Sequence, residues 1–362
     1  MINHSHPKAN KRKALCYNKN MKIERNPEID AFFRRCRKHL THDTKNEFVG
    51  RQVTRHNHDA LRRQMKAAGF AEFQGPEAQW PSLWISTQAF LDRPYPQTIR
   101  WEACSTGSFR LDRLKLKAGE LFNAQAIVMD PQRELNESMV LRALDESYEA
   151  PFLWQGDEAW MMDVPSEAMT IDPLAKKATG HVLAIGLGIG YYAFMALRNP
   201  MVKSVTVIEN STEVIDLFER VLHPQFPRPN DLTIVHGDAF DVFTKGGLAH
   251  YDTVFVDIWR SAEDGYPLIE RLLVQTNPPL AKLDLWIEDS CFEFMPSLIF
   301  LYFEGLAHHR PVIQHDSFYA RQLRKIARYF ESDPAIICTV DELKHRMYDR
   351  SVLRAIAATT VD

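Results

Sequence analysis

No stretch of these 362 residues approaches the roughly 18 consecutive apolar positions that a membrane helix needs, so a membrane partner is not expected. The opening M-I-N-H-S-H-P-K lacks the apolar core of a secretory signal. Five cysteines, Cys16, Cys36, Cys104, Cys291 and Cys338, are scattered and never form C-x-x-C. Reduced thiols and a cytoplasmic setting are the simplest reading. Histidine pieces such as His56-Asn57-His58 and His308-His309 have no companions at metal-ligand spacing, so no metal is expected. Low-complexity tracts and internal repeats are also missing. What is present, 45% hydrophobic and 25% charged residues, suits an ordinary globular chain large enough for two domains.

A net charge of −3 hides an asymmetry. Residues 1–70 hold seventeen Lys/Arg against six Asp/Glu, and the remainder is correspondingly acidic. Residues 1–26, with K-R-K at 11–13, read as a basic disordered tail. Pro27 to Leu40 and Thr54 to Ala68 read as basic helices. Nucleic-acid contact is one use for such charge; solvated faces, or docking onto acidic residues of the same chain or of a partner subunit, is the other. The second is favoured, because no aromatic-interleaved RNA motif accompanies the charge. A homo-oligomer stays open. Segments at 82–116 alternate and suggest a small β-rich unit before a helix near 135–147.

The most informative stretch is 182–190, V-L-A-I-G-L-G-I-G. Val182 to Ile185 has no polar alternation, as in a parallel strand buried on both faces. It runs into Gly186, Gly188 and Gly190, whose missing Cβ atoms permit a sharp turn and close approach of a ligand where a helix starts near Tyr191. Ser204 to Ile208 reads as the next strand and ends in Glu209, twenty-three residues after Gly186, a spacing suited to ribose hydroxyls. Tyr191 occupies the place where a dinucleotide fingerprint wants its last glycine, so the run suits a nucleoside without a pyrophosphate. Leu232 to Val235 then leads into Asp238-Ala239, Tyr251 to Val256 into Asp257-Ile258-Trp259, and Leu283 to Ile287 into Glu288-Asp289. The repeated rhythm predicts an α/β, Rossmann-like open sheet, mostly parallel, with these residues at the carboxyl edge of its strands.

From about Phe152 to Asp289 the sequence resembles the class I S-adenosylmethionine-dependent transferases, and within them the spermidine synthase branch and its methyltransferase-like relatives. The resemblance implies S-adenosylmethionine as cofactor, Gly186, Gly188 and Gly190 beneath its methionine part, and Glu209 on the ribose. It also places Asp238 and the Ala239 N–H at the adenine and Asp257 at the reacting centre. Upstream, Phe152 to Trp154 and Ala159 to Met161 flank Gln155-Gly156-Asp157 as a hairpin, where that branch carries one. Glu167, nineteen residues before Gly186 in Ser166-Glu167-Ala168-Met169, falls near the aromatic-His/Gln-Glu-Met segment of that branch and is a candidate for the cofactor pocket; it reads equally well as an acid in a helix's first turn.

The sequence also departs from that branch. Ile189 stands where aminopropyltransferases carry an aspartate, Asp257-Ile258-Trp259-Arg260-Ser261 replaces D-S-S-D-P, and Ala159 replaces a glutamine. A diamine needs carboxylates at both ends of its slot, so polyamine synthesis is disfavoured. Methyl transfer to a small amine- or hydroxyl-bearing acceptor is the expected activity. Asp257 is the candidate catalytic residue, and Trp259, Glu288 and Asp289 are candidates for the acceptor, Trp259 reading equally well as a core tryptophan under the helix after the fourth strand. Glu288 and Asp289 could instead cap a helix from Cys291 to about Gly305. Aminopropyl transfer is the alternative activity, and a non-catalytic nucleoside-binding or regulatory protein with a basic N-terminal interaction region is the alternative of another class. Domain boundaries are expected near 26, 150 and 310. Helices at Ser317–Phe330 and Val340–Ala357 are expected to follow, with Val312-Ile313 as the one place for a further short strand.

Overall fold

The apolar runs leading to the glycines and acids form one five-stranded parallel sheet. Its strands are Gly180–Ile185, Val202–Glu209, Leu232–His236, Thr253–Val256 and Leu283–Leu285, arranged across the sheet as third, second, first, fourth, fifth. Helical crossovers cover both faces, which is why Val182 to Ile185 and Val254 to Val256 are apolar without alternation and fully buried. The architecture is therefore α/β and Rossmann-like, with the strand order reversing beside the first strand. This computed structural model describes residues 21–40, 46–130, 132, 134–244, 246–310 and 317–361.

Helices Tyr191–Arg198, Thr212–Leu217, Ala239–Val242 and Ala262–Gln275 follow the first four strands, and Pro165–Lys177 precedes the sheet. The Asn199 side-chain amide donates to the carbonyls of Ala175, Lys176 and Ala178, so the end of one helix satisfies the orphan acceptors of another. Ahead of the sheet lies a four-stranded antiparallel sheet of Cys104–Thr106, Phe109–Leu116, Tyr148–Gln155 and Glu158–Met162, in the order fourth, third, second, first. Its last two strands are the expected hairpin. Gly156 makes the turn at φ 59°, a left-handed value that suits glycine.

Several expectations need correction. No helix forms near 135–147: Asn136–Ser138 and Leu141–Leu144 are strands. Helix-favouring Leu, Ala and Glu are overridden because Leu141–Leu144 pairs with Trp84–Ile85 and Phe122–Asn123 and buries Leu141 and Ala143 in an aromatic cluster with Phe70, Phe73 and Trp80. Between 87 and 98 the β-rich reading yields to short helices Thr87–Leu91 and Pro94–Thr98, the second begun by a proline whose fixed φ suits a first turn. The basic helices are Pro27–His39 and His58–Ala67. Glu288–Cys291 and Met295–His308 are separate helices, the second opening with Pro296 in its first turn. Val340–Tyr348 and Arg350–Ala358 divide where Asp349 accepts from Ser351 and Val352 N–H groups as an N-cap. Val312-Ile313 lies outside the described residues, as does the tail to residue 20.

By contacts the chain divides into two units that differ from the expected boundaries. One holds the described residues within 1–41, 131–135 and 294–362, and the other those within 42–130 and 136–293. In the first, Lys22–Ile23 pairs in parallel with Ile336–Ile337, so residues 21–26 are not tail but part of a helical body. Arg35 there meets Glu134 at 3.0 Å and Arg37 pairs with Glu304. Part of the N-terminal basic charge is thus spent inside this unit. The sheet, the hairpin and every candidate site residue lie in the second.

Candidate active site at the strand edge

The carboxyl ends of the strands enclose a cavity of about 250 Å³. Backbone pairing fixes its floor: Gly186 N–H donates to Ile208 at 2.9 Å, Asp257 N–H to Ile185 at 2.8 Å, and Trp286 N–H to Val256 at 2.9 Å. Gly186, Gly188, Glu209, Asp238, Ala239, Asp257, Trp259 and Glu167 all line it. Eight of the eleven candidate residues therefore meet at one place. Asn210, Arg260, Trp286, Tyr192 and the hairpin residues Trp160 to Met162 also border the cavity. They carry no motif of their own, although each lies within or directly beside a segment singled out in the sequence.

The three glycines do different jobs. At Gly186, φ is 96° and an added Cβ would collide with the Asp257 carbonyl oxygen, so the strand can turn here only without a side chain. Gly188, at φ 51°, faces the cavity, and a Cβ would come to 3.1 Å from the flexible Met161 Cγ. Gly190 is not on the cavity wall. A Cβ there would reach 2.5 Å from the Phe218 ring, and the residue starts the helix at φ 73°. Its smallness serves packing under the turn. Ile189 points into the core, where its carbonyl accepts from the Tyr95 hydroxyl at 2.6 Å.

The acids are held by the loops that follow their strands. Glu209 is buried, and its two carboxylate oxygens accept from Leu187 N–H at 3.0 Å and Ser211 N–H at 2.8 Å. One bond ties it to the glycine turn and the other to the next helix, so the carboxylate is fixed before any ligand arrives. Asp238 caps the helix Ala239–Val242 by accepting from Phe240 N–H at 2.8 Å, and the remaining oxygen is uncommitted by any side chain at that cap. The Phe240 ring beside it carries the Arg271 guanidinium 3.5 Å from its centroid.

Glu167 and Asp257 lie deeper. Burial pushes the Glu167 carboxyl up to about 8, and one of its oxygens is buried without a hydrogen-bond partner. Burial, and then the neighbouring Glu167, hold Asp257 well above the usual carboxylate range. Two neighbouring carboxyls in little water retain protons that exposed ones would release. Besides lining the cavity, Glu167 is the acid in the first turn of Pro165–Lys177. Around them Tyr192 stacks on Phe255 with centroids 3.8 Å apart, and the Trp286 indole donates to Thr170 at 3.0 Å. Tyr192 OH and Trp259 Nε1 are buried without partners. Tyr191 lines the cavity while its hydroxyl donates to Asp172 at 2.9 Å.

Glu288 and Asp289 are not part of the cavity wall. The fifth strand ends at Leu285, Trp286 takes the edge position, and Ile287 turns the chain at φ 43°. The two acids then fall in the first turn of the four-residue helix Glu288–Cys291, and not at the cap of a helix running from Cys291 to about Gly305, since the next helix starts only at Met295. Among the described residues no three His, Cys, Asp or Glu side chains converge as a metal site, and no helix is long and apolar enough to cross a membrane.

Solved structures similar to this chain include S-adenosylmethionine-dependent methyltransferases. A putative one from Streptococcus mutans is 15% identical over 39% of this chain and 42% of its own, with a TM-score of 0.26. A dimethyladenosine transferase from Plasmodium falciparum is 28% identical over 30% of this chain and 36% of its own, TM-score 0.22. A spermidine synthase from Thermotoga maritima is 14% identical over 48% and 50%, TM-score 0.29. The chain spans between about a third and a half of the length of these proteins. No protein-family profile matches the sequence, and no curated protein is similar to it.

Proposed function

We propose that the cavity binds S-adenosylmethionine and that the protein transfers its methyl group to a small acceptor, in the cytoplasm. One observation carries the reading: the glycine turn, Glu209, Asp238 with Ala239, and Asp257, which stand on four successive strands, line a single cavity closed by the hairpin. The residues fit that ligand chemically. Glu209 offers carboxylate oxygens to ribose hydroxyls, Asp238 and the Ala239 backbone suit an adenine edge, and Gly188 leaves room above the turn. The unpartnered oxygen of Glu167 and the carboxyl of Asp257 favour a cationic neighbour, which a sulfonium is.

The sulfonium supplies an activated methyl carbon: the acceptor atom bonds to it as the carbon–sulfur bond breaks, the electron pair stays on sulfur, and the acceptor's proton must leave. Asp257 is the group proposed to orient the acceptor and take that proton. Asp257 must be ionised to do so; its burial then makes it a stronger base than an exposed aspartate, an effect that a neighbouring sulfonium offsets in part. Trp160, Trp259 and Trp286 exclude water from the acceptor side. Aminopropyl transfer is the weaker alternative, since Arg260 and Ala159 border the cavity in place of the further carboxylate and the glutamine that a diamine would need.

The adenine assignment has a direct test. Asp238→Ala should weaken S-adenosylmethionine binding by about 1 to 3 kcal/mol, the worth of a hydrogen bond to a charged group. Because alanine also removes the cap on Phe240 N–H, Asp238→Ser, which keeps a capping oxygen, is the control for folding. If calorimetry finds unchanged affinity in a folded Asp238→Ala protein, the adenine does not lie there.

A further inference from the structure

The glycine turn has little of its own to hold its shape. Gly186, Gly188 and Gly190 all sit at positive φ, and glycine has more backbone conformations open to it than any other residue. Within the turn, Gly190 N–H donates to the Leu187 carbonyl at 2.7 Å. Side chains from elsewhere fix its two ends. Glu209 accepts from Leu187 N–H at 3.0 Å at one, and the Tyr95 hydroxyl donates to the Ile189 carbonyl at 2.6 Å at the other. The hydrogen-bond ladder of the helix Tyr191–Arg198 begins one residue too late to serve Ile189: its first acceptor is the Gly190 carbonyl, 2.9 Å from Phe194 N–H. Ile189 is fully buried, so Tyr95 satisfies a carbonyl that the turn itself strands.

Tyr95 stands on the short helix Pro94–Thr98, in the segment that precedes the sheet in the chain. Its ring centroid lies 4.9 Å from that of Tyr191 and, edge-on, 5.0 Å from that of Phe194. Burial holds the hydroxyl proton well beyond the usual phenol range, so the group stays a donor. Arg93, just before the same helix, pairs with Asp172, the carboxylate that accepts from the Tyr191 hydroxyl. One short helix thus grips the turn at Ile189 and the cavity-lining Tyr191 beyond it. We propose that Tyr95 is a positioning residue for cofactor binding: its hydroxyl, bonded to the Ile189 carbonyl, sets the glycine turn in the shape that receives the amino-acid arm of S-adenosylmethionine. The inference rests on the cofactor reading above, in which Glu209 and Asp238 serve the nucleoside and the arm is left to the glycine turn. Tyr95 is not on the cavity wall, so its influence passes through the backbone.

Tyr95→Phe keeps the ring and its packing and removes the hydroxyl. Calorimetric titration of the full chain with S-adenosylhomocysteine and, separately, with adenosine distinguishes positioning of the turn from a general loosening of the site. S-adenosylhomocysteine affinity is expected to fall about tenfold in the variant, while adenosine, which lacks the amino-acid arm, keeps its affinity within about twofold. Thr87→Val is the matched control. It also loses a buried hydroxyl bonded to a carbonyl, that of Glu146 at 2.9 Å, in the same segment but away from the turn, and it should leave both affinities within about twofold. Equal losses for the two ligands, no loss for either, or the same selective loss in Thr87→Val would each overturn the inference. A Tyr95→Phe chain that is unfolded at the titration temperature would make the bond a condition of the fold and overturn it as well. Failure of the unmodified protein to bind either ligand would sink the cofactor reading and this inference with it, a result separable from the others in the first titration.

Discussion

Gly186→Ala is expected to destabilise the protein by about 3 to 5 kcal/mol. Two costs add. At φ 96° an alanine is in a region L-residues avoid, and its Cβ would enter the space of the Asp257 carbonyl oxygen. Neither chain can step aside, because Gly186 N–H is bonded to Ile208 and Asp257 N–H to Ile185, both within the sheet ladder. Gly188→Ala should behave differently. Its Cβ meets only the end of a flexible methionine, so the fold should survive while the cavity narrows and cofactor affinity falls. Urea unfolding of the two variants separates the cases. A loss below about 1 kcal/mol for Gly186→Ala would show that the turn is looser than described.

The second large effect reverses with pH. Glu167→Gln should make the ligand-free protein more stable at pH 8 and above by about 2 to 4 kcal/mol, yet leave it nearly unchanged below pH 4.5. The glutamate's carboxyl, pushed from 4.5 to about 8 by burial, keeps its proton in the folded state at pH values where the unfolded chain has released it. Folded protein therefore binds more protons than unfolded between those values, and stability drains away as pH rises through that window. Glutamine has no proton to lose and escapes the penalty; the upper limit of about 1.4 kcal/mol per pKa unit is discounted because the group borders a water-accessible cavity. Thermal melts of both proteins from pH 4 to 9 should diverge steadily with pH. Parallel curves would mean that Glu167 is ionised at no unusual cost.

These two positions also show what the sequence could and could not reveal. A buried strand running into glycines, followed by acids at strand-length intervals, announced the sheet and most of its edge, because parallel strands and tight turns constrain residue type strongly. Glu209 and Asp238 were legible for the same reason. Gly190 was not: three glycines in alternation look alike in sequence, and only the neighbouring rings of Phe218 and Phe226 reveal that the third serves packing. Glu288 and Asp289 misled because the fifth strand is two residues shorter than its apolar run, so the edge position belongs to Trp286. The strand Leu141–Leu144 was hidden by helix-favouring residues whose state is decided by partners distant in sequence, Trp84–Ile85 and Phe122–Asn123. The depth of Glu167 and its closeness to Asp257 depend on a helix and a strand that lie ninety residues apart, beyond any local pattern.

On the proposed function the strand-edge cavity is a nucleoside site for S-adenosylmethionine. Titrating the full chain calorimetrically with S-adenosylmethionine, its decarboxylated form and NAD tests it most directly. Saturable one-to-one binding of S-adenosylmethionine, weaker binding of the decarboxylated form and none of NAD are expected. Binding of NAD alone would contradict it.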